Sequence, residues 1–170
     1  MKQVYRVLKG TADWTDRVTE KIMIFFMGAM LFTVLIQVFY RYIITRFIHY
    51  PLAYTEELAR YLTIWIAYLG IAVGLKEGIH VSFDLIYNKL SPKSQCQLYI
   101  LGRITMLYFI SIILIAGWSL LGRISSNVSP AMRIPIVWVY SAPWVGGCLI
   151  ALRLMVQLLG VILGFDKPKI

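Results

Sequence analysis

The stretch from Glu56 to Lys76 opens on a charged cluster, Glu56, Glu57 and Arg60, and then carries no charge until Lys76. As a helix it reaches about 30 Å, the hydrocarbon thickness of a bilayer, so its charges fall at the two headgroup layers. Within it Ala59, Thr63, Ala67, Gly70, Gly74 and Gly78 recur every three or four residues. They make one continuous face of small side chains, the kind of face that lets membrane helices approach closely. This face is expected to be the main packing seam, with Gly70-x-x-x-Gly74 as its point of closest approach.

Three further apolar stretches have similar length. The predicted spans are about 22–44, 56–76, 97–122 and 134–162. With 59% of residues hydrophobic and only 15% charged, the chain is far more apolar than a soluble domain. The predicted fold class is an all-α integral membrane protein, with four transmembrane helices and a short interfacial amphipathic helix. Ile22–Tyr40 is uncharged, ends at Arg41 and carries no small-x-small cleavage site. It reads as a retained first span rather than a signal peptide. Gln37, near its end, is expected to hydrogen-bond a neighbouring helix. Ahead of it lies a basic segment, residues 1–21, for which a surface-lying helix and a disordered tail both remain open. A short tail, 166–170, closes the chain. The transmembrane domain proper is 22–165.

Between the spans, Thr45–Tyr54 holds His49 and Pro51, and proline suits a break between helices. Thr55 is expected to N-cap the second helix, with Glu56 and Glu57 in its first turn, where the helix dipole favours negative charge. Arg60 lies within ion-pair reach of both acids. The cluster fits either a fixed contact with a partner subunit or a capped helix with Arg60 snorkelling to the headgroups. Residues 77–92 carry the stripe Ile79, Phe83, Ile86 and Leu90 opposite His80, Asp84 and Asn88, as an interfacial helix would. His80 and Asp84 read as a polar anchoring pair, since two residues do not make a metal site. Pro135 is expected in the first turn of the fourth span, and Pro143 is expected to disturb that helix locally. Arg153 should lie near its far interface.

Basic residues set the orientation. Lys2, Arg6, Lys9, Arg17, Lys21, Lys76, Lys89, Lys93, Lys167 and Lys169 fall on one side, against Arg41, Arg46, Arg123 and Arg133 on the other. That bias places both termini in the cytoplasm. The net charge of +9 is spread between apolar segments and forms no basic face, so nucleic acid is not an expected partner, whereas membrane lipid is. Cys96 and Cys148 are isolated and support neither a disulfide framework nor a metal site.

Several activities are excluded or disfavoured by what the spans lack. No acidic residue lies in a span interior, so a small multidrug-type exporter, which needs an intramembrane carboxylate, is a weak alternative. Both histidines fall in connections, which argues against a haem-binding anchor subunit. A small anchor of some other inner-membrane complex remains an alternative. The chain is not expected to be an enzyme, and no cofactor, catalytic residue or metal is expected.

The chain also resembles a known family. The matching elements are Gln37-Val38-Phe39-Tyr40-Arg41-Tyr42 and Pro51-Leu52-Ala53-Tyr54-Thr55-Glu56-Glu57-Leu58-Ala59-Arg60-Tyr61. Gly70, Gly78-Ile79-His80-Val81, Asp84-Leu85, Ile134-Pro135 and Pro143 follow. Together they are similar to the small, DctQ-type membrane subunit of tripartite ATP-independent periplasmic (TRAP) transporters, over roughly residues 22–155. The resemblance implies a scaffold subunit in the bacterial inner membrane. Its partners would be a large, M-type membrane subunit and a periplasmic substrate-binding protein. The cargo would be an organic anion, of the C4-dicarboxylate or sialic acid class, imported with sodium. The residues assigned to the partner interface are Glu56, Glu57, Arg60, Ala67, Gly70, Gly74, His80 and Asp84.

Overall fold

The computed structural model describes residues 2–43, 52–77 and 91–164. Four helices account for nearly all of them: α1 Lys2–Ile43, α2 Ala53–Glu77, α3 Pro92–Arg123 and α4 Val137–Ile162. All four are long and apolar enough to cross a membrane. The predicted interfacial helix with His80 and Asp84, the connection holding His49 and Pro51, and the tail 166–170 lie outside the described residues.

Helix α4 is the centre of the bundle. It packs on both α2 and α3, while α1 packs on α2 and, at one end, on α4. The core joins Ala72 and Leu75 of α2 to Ile150 and Leu154 of α4, with Met106, Leu107 and Ile110 of α3 packed against them. Large apolar side chains on α1 and α3 point outward, among them Phe25, Phe32, Tyr108 and Ile115. On a soluble protein such faces would be a liability; here they meet lipid tails or other helices.

The basic segment 1–21 is neither a separate surface helix nor a tail. From Lys2 it is helical and continuous with the first span, giving α1 its 42 residues. At 1.5 Å per residue α1 is about 63 Å long, twice the bilayer's hydrocarbon thickness. The segment is helical because it carries an inward stripe: Tyr5, Ala12, Asp16 and Thr19 are buried. Tyr5 and Ala12, with Leu8 beside them, pack with Val156 of α4.

Helix α3 starts where its sequence allows. The Ser91 hydroxyl caps the Ser94 amide, and Pro92 stands in the first turn, where no backbone donor is needed. The connection to α4 folds as a small hairpin. Val128 and Pro135 form an antiparallel bridge, Ser129 N–H donates to Ile134 O at 2.8 Å, and Ile136 N–H donates to Asn127 O at 3.0 Å. Arg133 takes a left-handed backbone, φ 54°, at its turn. The hairpin draws Pro135 out of the helix, so the expected first-turn role is not realised and α4 begins only at Val137. Helix α4 then runs through Pro143 to Ile162.

Among the described glycines, the closest approach to a neighbouring helix is not on the small face of α2. A Cβ at Gly74 would meet no atom within 4 Å, and one at Gly70 would meet only Met23 Sδ, at 3.7 Å. A Cβ at Gly146 of α4 would lie 2.8 Å from Tyr68 Cβ and 3.2 Å from the Tyr68 carbonyl oxygen. One at Gly147 would lie 3.0 Å from Leu114 Cδ2. Successive residues on a helix point about 100° apart, so this glycine pair serves two neighbours, α2 with the first and α3 with the second. The seam expected along Gly70 and Gly74 therefore belongs, inside the bundle, to Gly146-Gly147.

Candidate functional site

The first turns of α2 carry the acidic pair and Arg60, and the structure gives each a different task. Thr55 is not the N-cap. The helix already begins at Ala53, and the Thr55 hydroxyl donates back to Leu52 O at 2.8 Å. Glu57 is buried, 9% exposed. Its Oε2 accepts the backbone N–H groups of Ala131 at 2.9 Å and Met132 at 2.8 Å. Its Oε1 accepts the Tyr61 hydroxyl. The Ser129 hydroxyl lies against the same carboxylate and also accepts the Ile134 N–H at 3.3 Å. Glu57 thus holds the 127–136 hairpin onto the head of α2, binding two successive amides of the turn much as an anion sits in a backbone nest.

Glu56, one residue earlier, points elsewhere. Its Oε1 accepts Gln37 Nε2 at 2.9 Å, tying α2 to α1, the interhelix bond expected of Gln37. Arg60 joins neither acid. Among the described residues it makes no hydrogen bond or ion pair, and it stands exposed at the rim of a cavity of about 610 Å³. The cavity lies between α2, the hairpin and the start of α4. Ile64, Tyr68, Val139, Tyr140 and Pro143 form its apolar wall, with Glu56 beside Arg60.

Below this head, α2 turns Arg60, Ala67 and Ile71 outward and Gly74 has open space where a side chain would be, while Glu56, Thr63 and Gly70 beside them run along α1, meeting Gln37, Met30 and Met23. These positions follow one another at three- and four-residue steps and so share a face. The opposite side, Leu69, Ala72, Val73 and Leu75, is buried. Of the residues assigned to a partner interface, the structure therefore brings Arg60, Ala67 and Gly74 onto one open stripe, with Glu56 and Gly70 on its edge against α1. It turns Glu57 inward.

A second polar cluster, at the other end of the bundle, was not foreseen. Arg153 Nη1 lies 2.8 Å from Asp13 Oδ1 and 3.1 Å from Asp16 Oδ2. One turn further on, Gln157 Nε2 donates to Leu75 O at 3.0 Å. Asp16 and Arg153 are largely buried, whereas the Asp13 side chain is 44% exposed. The cluster pins the N-terminal half of α1 to α4. Arg103, also buried, stacks over the Tyr99 ring at 4.8 Å. Among the described residues no three His, Cys, Asp or Glu side chains gather as a metal site would require.

Comparison with known proteins places the chain. Residues 30–164 match the profile of the family described as tripartite ATP-independent periplasmic transporters, DctQ component. The chain is 28% identical over 156 residues to a protein of Haemophilus influenzae provisionally named a TRAP transporter small permease protein, covering 92% of this chain and 94% of that one. It is 29% identical over 162 residues to the sialic acid TRAP transporter small permease protein SiaQ of Vibrio cholerae, covering 91% of each. It is 31% identical over 160 residues to the isethionate TRAP transporter permease protein DctMQ of Oleidesulfovibrio alaskensis, where 89% of this chain spans 25% of the longer protein.

Proposed function

The chain belongs to the DctQ component family of tripartite ATP-independent periplasmic transporters, and from that premise we propose that it is the small scaffold subunit of a sodium-coupled organic-anion importer. It binds the large membrane subunit and itself moves nothing. The observation that carries this reading is the stripe of Arg60, Ala67, Ile71 and Gly74 on α2, which the described helices leave uncovered. Helices in lipid gain little from apolar burial, so a close-fitting face of this kind is suited to another helix. In the isethionate relative the similar region is a quarter of a longer permease protein, which supports a large membrane partner. The cargo is an organic anion delivered by a periplasmic binding protein. The relatives' names include C4-dicarboxylate, sialic acid and isethionate permeases, all consistent with that class.

The interface comprises Arg60, Ala67 and Gly74, with Glu56 and Gly70 at its edge against α1 and Glu57 contributing by fixing the hairpin beside them. Both termini are cytoplasmic by the basic-residue bias, so a reporter active only in the periplasm stays silent when fused to residue 170. Proteoliposomes test the function. Labelled organic anion should enter under a sodium gradient when this chain, the large subunit and the binding protein are all present. Uptake by this chain alone would overturn the scaffold reading.

A further inference from the structure

We propose that the cavity at the head of α2 is a binding site for a single phospholipid whose headgroup carries both a phosphate and a primary ammonium, as phosphatidylethanolamine does. It goes beyond the subunit assignment: Glu56 and Arg60 head the interface assigned above, so the lipid fills the top of that seam, and the test uses the isolated chain.

Charge is the first reason. Arg60 has five donors and, among the described residues, no acceptor for any of them. It sits about two turns into α2, in the charged cluster that the length of the span assigns to the headgroup layer, where an arginine guanidinium binds phosphate oxygens well. Glu57 does not neutralise it, since the hairpin amides and Tyr61 occupy that carboxylate. Glu56 uses one oxygen for Gln37 and is exposed at the same rim. Four residues separate Glu56 from Arg60, about 6 Å along the helix axis. A headgroup with phosphate on Arg60 and ammonium toward Glu56 meets both charges. A purely anionic headgroup satisfies the arginine but faces the Glu56 carboxylate unpaired.

Shape is the second reason. The volume, about 610 Å³, is that of a small-molecule pocket rather than of an ion site. Below the charged rim its wall is apolar: Ile64, Tyr68, Val139 and Pro143. Further down the same side of α2 a second, mainly apolar cavity of about 320 Å³ is lined by Ile71, Leu75, Thr105, Met106 and Phe109. A polar mouth over an apolar track is the form an amphiphile fills, and the bilayer supplies that ligand at every moment.

The test is lipid retention by the full-length purified chain, counted by native mass spectrometry after delipidation and re-addition of defined lipids. Wild type should retain one phosphatidylethanolamine in preference to phosphatidylglycerol. Arg60→Gln should weaken that retention by about tenfold, the loss expected for a charge-assisted hydrogen-bonded contact. Because Arg60 is exposed and, among the described residues, unpaired, this variant should fold as wild type does, which its melting temperature checks. Glu56→Gln should keep lipid binding but lose the preference for phosphatidylethanolamine. Arg123→Gln, at the end of α3 outside the cavity, should change nothing. Equal retention by Arg60→Gln and wild type overturns the proposal. So does an Arg60→Gln chain that keeps its lipid but no longer co-purifies with the large subunit, since the cavity would then hold a partner's acidic side chain.

Discussion

Replacing Gly146 with alanine should destabilise the bundle, and replacing Gly74 with alanine should not. Both substitutions gain the same intrinsic helix preference, about 1 kcal/mol over glycine, so their difference isolates packing. At Gly146 the new Cβ would stand 2.8 Å from Tyr68 Cβ and 3.2 Å from the Tyr68 carbonyl oxygen. Ordinary carbon–carbon contact begins near 3.5–4.0 Å, so roughly 1 Å of relief is needed. Tyr68 backbone atoms are part of the obstruction, so a rotamer change cannot supply it and α2 must move away from α4. That movement also strains the Trp65 Nε1 to Trp138 O bond at 3.1 Å and the Gln157 Nε2 to Leu75 O bond at 3.0 Å. Overpacking of this kind costs about 1–3 kcal/mol. For a chain of this size that corresponds to a melting temperature roughly 2–12 °C below that of Gly74→Ala. Gly147→Ala should fall between the two, because its obstacle is the mobile end of Leu114. The assay is thermal unfolding of the purified chain in detergent, followed by tryptophan fluorescence. Equal melting temperatures for Gly146→Ala and Gly74→Ala would refute the placement of the seam.

Other consequences follow from the polar clusters and the open stripe. Glu57→Ala should release the hairpin, seen as faster amide hydrogen exchange at Ala131 and Met132; unchanged protection there would show that the hairpin holds itself. Arg153→Gln removes the cation that Asp13 and the buried Asp16 share and should lower the melting temperature more than Asp13→Asn, which, at the exposed end of the cluster, should cost under about 1 kcal/mol. Similar melting temperatures for these two variants would remove the cluster's anchoring role. Gly74→Leu should leave the isolated chain as stable as wild type yet reduce its co-purification with the large subunit, and full co-purification would place the contact on another face.

The spans were legible because apolar length is read directly from sequence. Predicted and observed helix bounds for the second span differ by only a few residues, 56–76 against Ala53–Glu77. What was not legible rests on contacts distant along the chain. Glu57 meets amides 74 and 75 positions away, and Arg153 meets Asp13 across 140. No local pattern announces either. Without those partners, the i,i+3 and i,i+4 spacing of Arg60 to the acids invited a local ion pair that does not form. Thr55 was misplaced as a cap because the helix begins two residues earlier. One signal was present and unread: Gly146-Gly147, adjacent glycines inside an apolar span, marks a helix squeezed from two directions. The small-residue face of α2 was visible in the sequence, but only the bundle shows which part of it α1 meets and which part the described helices leave open.

Photocrosslinking tests the central claim most directly. A photoreactive side chain placed at Ala67, midway along the open stripe, in cells producing the whole transporter should yield a covalent adduct with the large membrane subunit. The same probe at Phe32 of α1 or Ile115 of α3, both exposed to the surroundings, should give chiefly lipid adducts. An Ala67 probe that captures only lipid, with the large subunit captured from α1 or α3 instead, would contradict the account.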